Sequence, residues 1–379
     1  MTKINCIEDQ RVRAQKFVPR MFYEYADGGS WAEDTYRANE KDWKKIKFNQ
    51  KVGVDVGTRE TSMNMLGKKL IMPVALSPVG LIGMHRADGE IHAARAAERF
   101  GVPFTLSTMS ICSLEDVAKN TKEQFWFQLY VMRDREFIGR LIERARNANC
   151  STLVVTVDLP ILGNRYKDRN NGLSTPPKMT LKNILNLITK PSWCFEMSKT
   201  KRRNFGNVVG HVKGVNDMSS LADWVSSQFD PTLTWDDLAE IRKVWDRKLV
   251  IKGILNPEDA ESAVSIGADA IVVSNHGGRQ LDGAISTVQA LCPIVDRVGG
   301  RVEVWVDGGI RSGQDILRAI ALGANGVMIG RAYLYGLGAS GEEGVLQTLN
   351  IMLNELDSTM ALCGSSNLRD VDKSILCDL

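Results

Sequence analysis

A histidine and an arginine stand three residues apart in residues 274–282, which read Ser-Asn-His-Gly-Gly-Arg-Gln-Leu-Asp. The segment directly follows the apolar run 269–273, and this order is typical of a buried strand that opens into a loop. His276 can act as a base near neutral pH, and Arg279 can bind an anion such as a carboxylate. The segment therefore predicts a base and an anion binder at the end of a strand. A helix-capping turn with a solvated arginine is the alternative.

The ends of the other apolar runs are also polar. The side chains at these ends are Ser107, Thr108, Gln128, Tyr130, Thr156, Asp158, Lys252, Asp307 and Arg311. Burial of so many polar groups would cost free energy unless a polar ligand met them. In a barrel of parallel strands, the carboxyl ends of the strands surround the active site. We therefore expect these side chains to meet at one site.

Glycines and arginines cluster after the last two predicted strands, in residues 307–313 (Asp-Gly-Gly-Ile-Arg-Ser-Gly) and at Gly330 and Arg331. In barrels, glycine backbone at a helix start in this position commonly binds phosphate. The pattern predicts a phosphate site, and a merely tight turn is the alternative. Asp307 is not expected to touch the phosphate. It can cap a helix, pair with an arginine or bind a sugar-like chain of hydroxyls.

Lys252 ends a buried Leu-Val-Ile run, where an ammonium must pair with an anion or lose its proton. One interpretation is the Schiff-base lysine of a barrel aldolase, and the other is a cation set against an electron-rich cofactor ring. Ser107, Gln128 and Thr156 suit the edge of a flavin-like heterocycle better than a sugar-phosphate site. The residues favour a cofactor and leave the aldolase as an alternative.

Eight strand-helix units are predicted along the chain, which is the number in a (β/α)8 barrel. The predicted strands cover residues 72–78, 102–107, 124–130, 151–158, 248–253, 269–275, 301–307 and 326–330. An open, doubly wound sheet is the alternative, but the glycine motifs of Rossmann and P-loop nucleotide sites are absent. Residues 1–45 are predicted to form an N-terminal cap, and residues 176–230 an insertion, within one domain that covers residues 1–379.

The composition is that of an ordinary globular protein. Of the 379 residues, 44% are hydrophobic and 25% are charged, and a net charge of +3 is too small to imply a nucleic-acid partner. The seven scattered cysteines form no C-x-x-C pair and favour reduced thiols without a zinc site. The first ten residues lack a signal-peptide core, and no window approaches eighteen uninterrupted apolar residues, so we expect no transmembrane helix.

Residues 178–213 are strongly basic, with eight lysines or arginines against one carboxylate, Glu196. The basic residues are Lys178, Lys182, Lys190, Lys199, Lys201, Arg202, Arg203 and Lys213, and the apolar residues among them are Met179, Ile184, Leu185, Leu187, Ile188, Trp193 and Phe195. This mixture is typical of a segment that contacts an anionic membrane surface. A solvated loop is the alternative.

The chain as a whole resembles the FMN-dependent 2-hydroxy-acid oxidase and dehydrogenase family, whose hallmark segment is complete at residues 274–282. Further matching motifs lie at residues 127–130, 156–158, 250–253 and 307–311, and the similarity covers residues 4–365. Within the family, residues 73–81, 103–108 and 151–154 are most similar to the bacterial respiratory L-lactate dehydrogenases. The resemblance implies bound FMN, oxidation of an L-2-hydroxy acid to the 2-oxo acid, and a homotetramer.

The resemblance also implies a role for each candidate residue. His276 is the base, and Asp158 holds the imidazolium and is expected to raise the histidine pKa. Arg279 clamps the substrate carboxylate with help from Arg165 and Tyr25. Tyr130 bonds near the reacting hydroxyl. The residues implied at the cofactor are Ser107, Gln128, Thr156, Lys252, Ser274, Asp307, Gly309, Arg311, Gly330 and Arg331, of which the last four hold the phosphate.

Met109 stands where plant-type glycolate oxidases have a tryptophan, which favours L-lactate over glycolate and leaves mandelate and longer acids open. By resemblance, the electron acceptor is a quinone of the respiratory chain. The protein is expected at the cytoplasmic side of the inner membrane, attached peripherally through residues 178–213. Three alternatives remain open: an oxidase that uses oxygen, the Lys252 aldolase, and a non-catalytic flavin or phosphate binder.

Overall fold

A computed structural model describes residues 3–173, 180–212 and 228–377 of the chain. Its centre is a closed barrel of eight parallel strands, which neighbour one another around the ring in chain order. A parallel bridge between Leu76, in the first barrel strand, and Phe104, directly before the second, closes the ring. The closed ring and the parallel pairing confirm the (β/α)8 barrel and exclude the open, doubly wound sheet.

The barrel strands occupy the apolar runs that the sequence marks. They are β3 (Val74–Leu76), β4 (Thr105–Ser107), β5 (Trp126–Tyr130), β6 (Thr152–Thr156), β7 (Lys248–Ile254), β8 (Ala270–Val273), β9 (Glu303–Val306) and β10 (Gly326–Ile329). Most of their side chains are buried on both faces, as expected for parallel strands between a packed interior and a layer of helices. A short hairpin of β1 (Met63–Met65) and β2 (Lys68–Leu70) packs Met65 and Leu70 against the interior cluster that contains the stacked Trp126 and Trp305.

The helices follow the predicted alternation with the strands. They are α1 (Ile7–Phe17), α2 (Arg20–Asp27), α3 (Asp34–Lys45), α4 (Ile82–His85), α5 (Gly89–Phe100), α6 (Leu114–Asn120), α7 (Arg135–Asn147), α8 (Tyr166–Asn170), α9 (Leu181–Ile188), α10 (Pro191–Lys199), α11 (Trp235–Val244), α12 (Pro257–Ser265), α13 (Thr287–Val298), α14 (Gly313–Ala321) and α15 (Arg331–Leu362). Polar side chains fix several helix starts, since those of Asp134, Asn256 and Ser312 accept bonds from first-turn N–H groups.

Three helices, α1, α2 and α3, lie within residues 1–45, the segment for which the sequence predicts an N-terminal cap, and they pack on the barrel. The α1 helix packs along α15, where Gln10 donates to the carbonyl of Gly344 at 3.0 Å and accepts from the hydroxyl of Thr348 at 2.6 Å. The α2 and α3 helices reach the carboxyl ends of the strands. The cap is therefore in position to contribute to a site at that end.

In the segment between β6 and α11, the structure describes three short helices and, over residues 200–212, turns and irregular backbone. The helices α8, α9 and α10 lie in it, and the predicted basic residues Lys178 and Lys213, like Met179, lie outside the described residues. None of the described helices is both long enough and apolar enough to cross a bilayer.

We expect two glycine-to-alanine changes to shift stability in opposite directions. A Cβ on Gly313 would overlap the backbone of Met352 and Leu356 in α15, so Gly313→Ala should destabilise by about 1–3 kcal/mol through overpacking. A Cβ on Gly139, within α7, meets nothing within 4 Å, so Gly139→Ala should stabilise by about 0.5–1 kcal/mol. Denaturant unfolding measures both changes. A neutral Gly313→Ala would contradict the close approach of α14 to α15.

Candidate active site

A cavity opens at the carboxyl ends of the barrel strands, and most of the predicted site residues line it. Those that line it are Tyr25, Met109, Tyr130, Thr156, Arg165, Lys252, His276, Arg279, Asp307, Gly309, Arg311, Gly330 and Arg331. Ser107, Gln128, Asp158 and Ser274 stand behind these residues or beside them. Residues from the cap, from most of the barrel strands and from the insertion thus meet in one place.

The base that the sequence predicts is held by a carboxylate. Nδ1 of His276 lies 2.7 Å from Oδ1 of Asp158, and the hydroxyl of Ser274 accepts from the backbone N–H of His276 at 3.1 Å. His276 has a φ of +57°, in the left-handed region. Its other ring nitrogen, Nε2, is left to act on a ligand in the cavity.

The net pKa shift of His276 runs opposite to the sequence expectation. Burial lowers the pKa from the usual 6.5, and this effect outweighs the nearby Asp158, which raises it. The carboxylate therefore acts as predicted, but desolvation dominates. A neutral imidazole at neutral pH is the form that can accept a proton.

Two arginines face the place where a substrate anion would bind. The guanidinium of Arg279 stacks over the ring of Tyr25 at 4.6 Å, and its Nη1 donates to the carbonyls of Tyr25 and Gly28. Its Nε and Nη2 make no hydrogen bond to any described residue. Arg165 donates to the carbonyl of Arg279 at 3.3 Å and so stands beside it. Burial, followed by the charge of Arg165, lowers the pKa of Arg279, as expected where two cations await an anion.

Lys252 lies at the cavity between a carboxylate and a hydroxyl. Its Nζ lies 2.7 Å from Oδ2 of Asp307 and donates to the hydroxyl of Ser274 at 2.8 Å. Asp307 thus pairs with a lysine rather than with the arginine considered from sequence. A paired ammonium is a poor nucleophile, which disfavours the Schiff-base aldolase.

Several buried polar atoms near Lys252 have no partner among the described residues. The hydroxyl of Ser107 and the N–H of Thr108 hold the amide oxygen of Gln128, whereas its Nε2 is unpaired. The hydroxyl of Thr156 and Oδ1 of Asp307 are unpaired as well. Unpaired buried groups of this kind are costly, so they fit a planar ligand that carries both donors and acceptors.

The arginines predicted to hold a phosphate also contact other groups of the protein. Nη2 of Arg311 lies 2.8 Å from Oε1 of Glu40 in an ion pair but makes no hydrogen bond to a described residue, and Arg331 donates to the carbonyls of Ala26, Gly277 and Gly28 at 2.7–3.0 Å. A buried guanidinium needs such partners. Further donors that suit a phosphate are the backbone N–H groups of residues 307–313, called here the glycine loop, and those of Gly330 and the start of α15.

A model of the FMN-dependent dehydrogenase family matches residues 14–378. The chain belongs to this family. It is 46% identical over 377 residues to an L-lactate dehydrogenase of Haemophilus influenzae and 44% identical over 374 residues to one of Pseudomonas syringae pv. syringae; these alignments cover 99% and 98% of both chains, respectively. A crystal structure of a monotopic membrane (S)-mandelate dehydrogenase superposes with a TM-score of 0.95 at 35% identity, and covers 100% of both chains.

The unpaired atoms fit the FMN of this family. Gln128, Thr156, Lys252 and Asp307 offer donors and acceptors to the edge of a flavin ring, and the glycine loop with the start of α15 offers N–H groups to its phosphate. Ser107 and Ser274 stand one step back, since Ser107 bonds Gln128 and Ser274 bonds Lys252. We infer that these two serines orient cofactor-contacting side chains.

Some residues of the cavity are absent from the sequence prediction. Ser77, directly after β3, lines the cavity with an unpaired buried hydroxyl, and its place at a polar strand end was a signal that could have found it. Leu81, Phe205 and Phe229 form part of an apolar wall. Phe205 and Phe229 belong to the insertion, where sequence periodicity gives no indication that they reach the barrel.

The pKa shift of His276 predicts the pH dependence of turnover. Because the neutral imidazole is the base, kcat/KM should fall as the pH drops through a pKa below 6.5. Asp158→Asn removes the charge that raises this pKa, so the acid limb should move to lower pH while the rate falls at least about tenfold. Rates with ferricyanide as the acceptor measure both. Asp246→Asn, at an exposed carboxylate that does not line the cavity, is the control. A wild-type limb at or above 6.5 would contradict the assignment.

Proposed function

We propose that this protein oxidises an L-2-hydroxy acid, and L-lactate in particular, to the 2-oxo acid with FMN as the cofactor. The observation that carries the proposal is the placement of the His276–Asp158 pair and the Arg279 guanidinium in one cavity, beside polar atoms that suit a flavin. The L-lactate dehydrogenases that align over nearly the whole chain support the choice of lactate.

The substrate carboxylate binds between Arg279 and Arg165, which supply the positive charge of this part of the cavity. This contact aims the α-carbon and its hydroxyl at Nε2 of His276 and at the Tyr130 hydroxyl. Burial raises the pKa of Tyr130, so its hydroxyl stays protonated and can donate a hydrogen bond.

His276 takes one proton from the substrate as the α-carbon is oxidised, and Asp158 stabilises the imidazolium that results. FMN, when bound, would supply the oxidising power as the acceptor of the two electrons and the second proton. Lys252 is held by Asp307 and Ser274 where its charge favours negative charge on a neighbouring ring.

The matched test is anaerobic addition of L-lactate to the purified yellow holoprotein. L-lactate should bleach the flavin bands and D-lactate should not. His276→Gln should retain FMN but reduce it about 10²–10⁴-fold more slowly, because the general base is lost. Fast bleaching by His276→Gln would remove His276 as the base, and a colourless protein that FMN cannot reconstitute would contradict the whole proposal.

The same experiment, repeated with other substrates and other electron acceptors, addresses the alternatives. The apolar wall of Met109, Leu81, Phe205 and Phe229 leaves (S)-mandelate as the second candidate substrate, and the mandelate dehydrogenase similarity supports its inclusion. We propose a quinone of the respiratory chain as the acceptor. Readdition of air with peroxide measurement, or of a soluble quinone, separates an oxidase from a dehydrogenase.

An exposed apolar face on α9 supports membrane contact. Leu181, Ile184, Leu185 and Ile188 share one side of this helix and are 44–73% exposed. The other side faces the protein, where Asn183 donates to the carbonyl of Asn171 at 2.9 Å. Such an outward apolar face, next to Phe195 on α10, suits the interfacial layer of a bilayer.

The basic residues near this face divide into two groups. Arg202 is used within the protein, where it lies 3.1 Å from Asp88 and 2.8 Å from Asp116. Lys182, Lys199 and Lys201 are exposed near α9 and α10, and their charges can attract anionic lipid; Nζ of Lys199 also lies 3.8 Å from the centre of the Phe195 ring. We therefore propose peripheral attachment through the described part of residues 178–213, at the cytoplasmic face of the inner membrane, with a homotetramer as the assembly.

The membrane contact is tested by vesicle binding. Leu185→Asp combined with Ile188→Asp should lower partition into vesicles with anionic lipid at least about tenfold, since each buried aliphatic side chain contributes about 1.5–3 kcal/mol. Leu362→Asp is the matched control, because Leu362 is 61% exposed at the end of α15. Equal losses in the two proteins, or none in either, would contradict the proposed surface. Light scattering of the holoprotein tests the tetramer.

A further inference from the structure

The side chain of Asn39 in α3 forms a reciprocal amide pair with that of Asn275, which lies after β8 in the loop that carries His276. Nδ2 of each residue donates to Oδ1 of the other at 2.8 Å. Both side chains are buried, and Oδ1 of Asn39 also accepts from the N–H of Thr287 at 3.2 Å. The pair joins the N-terminal cap to the residue that directly precedes His276.

The loop that Asn275 begins has an unusual backbone. His276, Gly277 and Gly278 have φ values of +57°, +66° and +72°, which makes three left-handed residues in a row. A left-handed conformation costs a residue with a side chain about 1–2 kcal/mol. It therefore persists only where surrounding contacts fix it.

Asn275 supplies such contacts from inside the turn. Its Oδ1 accepts from the N–H of Gly278 at 3.1 Å, and its Nδ2 donates to the carbonyl of Ile285 at 3.1 Å. The amide of Asn39 sets the orientation of the Asn275 amide. If the Asn275 amide were flipped, its Nδ2 would face the Nδ2 of Asn39 and its Oδ1 would face the Oδ1 of Asn39, so neither hydrogen bond could form. Asn39 thus acts on the turn through Asn275.

The same helix contacts the loop at the phosphate end of the cavity. A Cβ on Gly309 would overlap the backbone of Asn39, and the indole N–H of Trp43 donates to the carbonyl of Gly308 at 2.9 Å. Glu40 pairs with Arg311. One rigid helix therefore touches both the loop that carries the base and the loop that faces the cofactor.

We propose that Asn39 is a positioning residue that holds His276 in its reactive orientation through Asn275, and that α3 fixes the base relative to the cofactor end. The inference rests on the proposed function, because it takes His276 as the catalytic base. It assigns the orientation of that side chain to Asn39, a residue outside the barrel. A shift of about 1 Å in a reacting group can lower a rate about 10²-fold. The loss of a single amide can therefore matter for catalysis.

The test compares Asn39→Ala with Thr35→Val in the FMN holoprotein. Thr35 lies in the same helix and donates to the carbonyl of Ala284 at 3.0 Å. Its variant therefore loses a contact between the cap and the part of the loop that follows His276 and Arg279. Asn39→Ala should retain FMN yet be reduced by L-lactate about 10–100-fold more slowly, with a larger isotope effect from 2-deuterated lactate. Thr35→Val should be reduced within about twofold of the wild-type rate.

A double-mutant cycle separates positioning from general destabilisation. Asn275→Ala and the double variant with Asn39→Ala should lose the same factor, because the two amides act as a unit. Losses that multiply, or an Asn39→Ala rate within twofold of wild type, would overturn the proposal. Asn39→Asp serves as the second variant if Asn39→Ala folds poorly, since its carboxylate keeps the volume but cannot donate to Asn275, and its reduction should slow in the same way.

A crystal structure of the Asn39→Ala holoprotein gives a readout that does not depend on the substrate. The distance between Nδ1 of His276 and Oδ1 of Asp158 should exceed 3.5 Å, compared with the present 2.7 Å. An unmoved histidine would overturn the positioning role whichever acid the enzyme oxidises. A displaced histidine in Asn39→Ala, together with a wild-type holoprotein that L-lactate does not reduce, would instead contradict the proposed substrate alone.

Discussion

Charges buried at the rim of the barrel must be paired, and this requirement ties the separate elements of the molecule together. Lys252 of β7 meets Asp307 after β9, and His276 after β8 meets Asp158 after β6. Each partner comes from a different strand, so no single segment can satisfy its own charge. Desolvation makes an unpaired partner costly, and the strand ends are held in register by the same contacts that place the reactive groups.

The N-terminal cap also supplies partners for charges that are buried at the rim of the barrel. Arg311 depends on Glu40 of α3, and Arg331 depends on carbonyl groups at the end of α2. The N-terminal helices are therefore structural partners of charges that the barrel alone would leave unpaired. A cap that contributes Tyr25 to the cavity is in this way also fixed by the cavity.

Much of the fold was readable from local pattern. The apolar runs, the helix starts and the polar strand ends predict the barrel. In the structure, thirteen of the candidate residues line one cavity. Partners distant in sequence were not readable. The contact of Arg311 with Glu40 joins residues more than 250 positions apart, and the pKa of His276 depends on burial, which no local pattern specifies. Gly309 was predicted as a phosphate-binding glycine, whereas its close approach to Asn39 requires the folded cap.

The packing of α1 along α15 has a consequence for synthesis on the ribosome. Among the described residues, the buried side chain of Gln10 in α1 finds its partners at Gly344 and Thr348, near the far end of the chain. A nascent polypeptide can form early strands, but its first helix has no docking surface until the last long helix has left the exit tunnel. The prosthetic group therefore has a complete binding place only late in translation, and a chain stopped before α15 lacks the surface on which α1 packs.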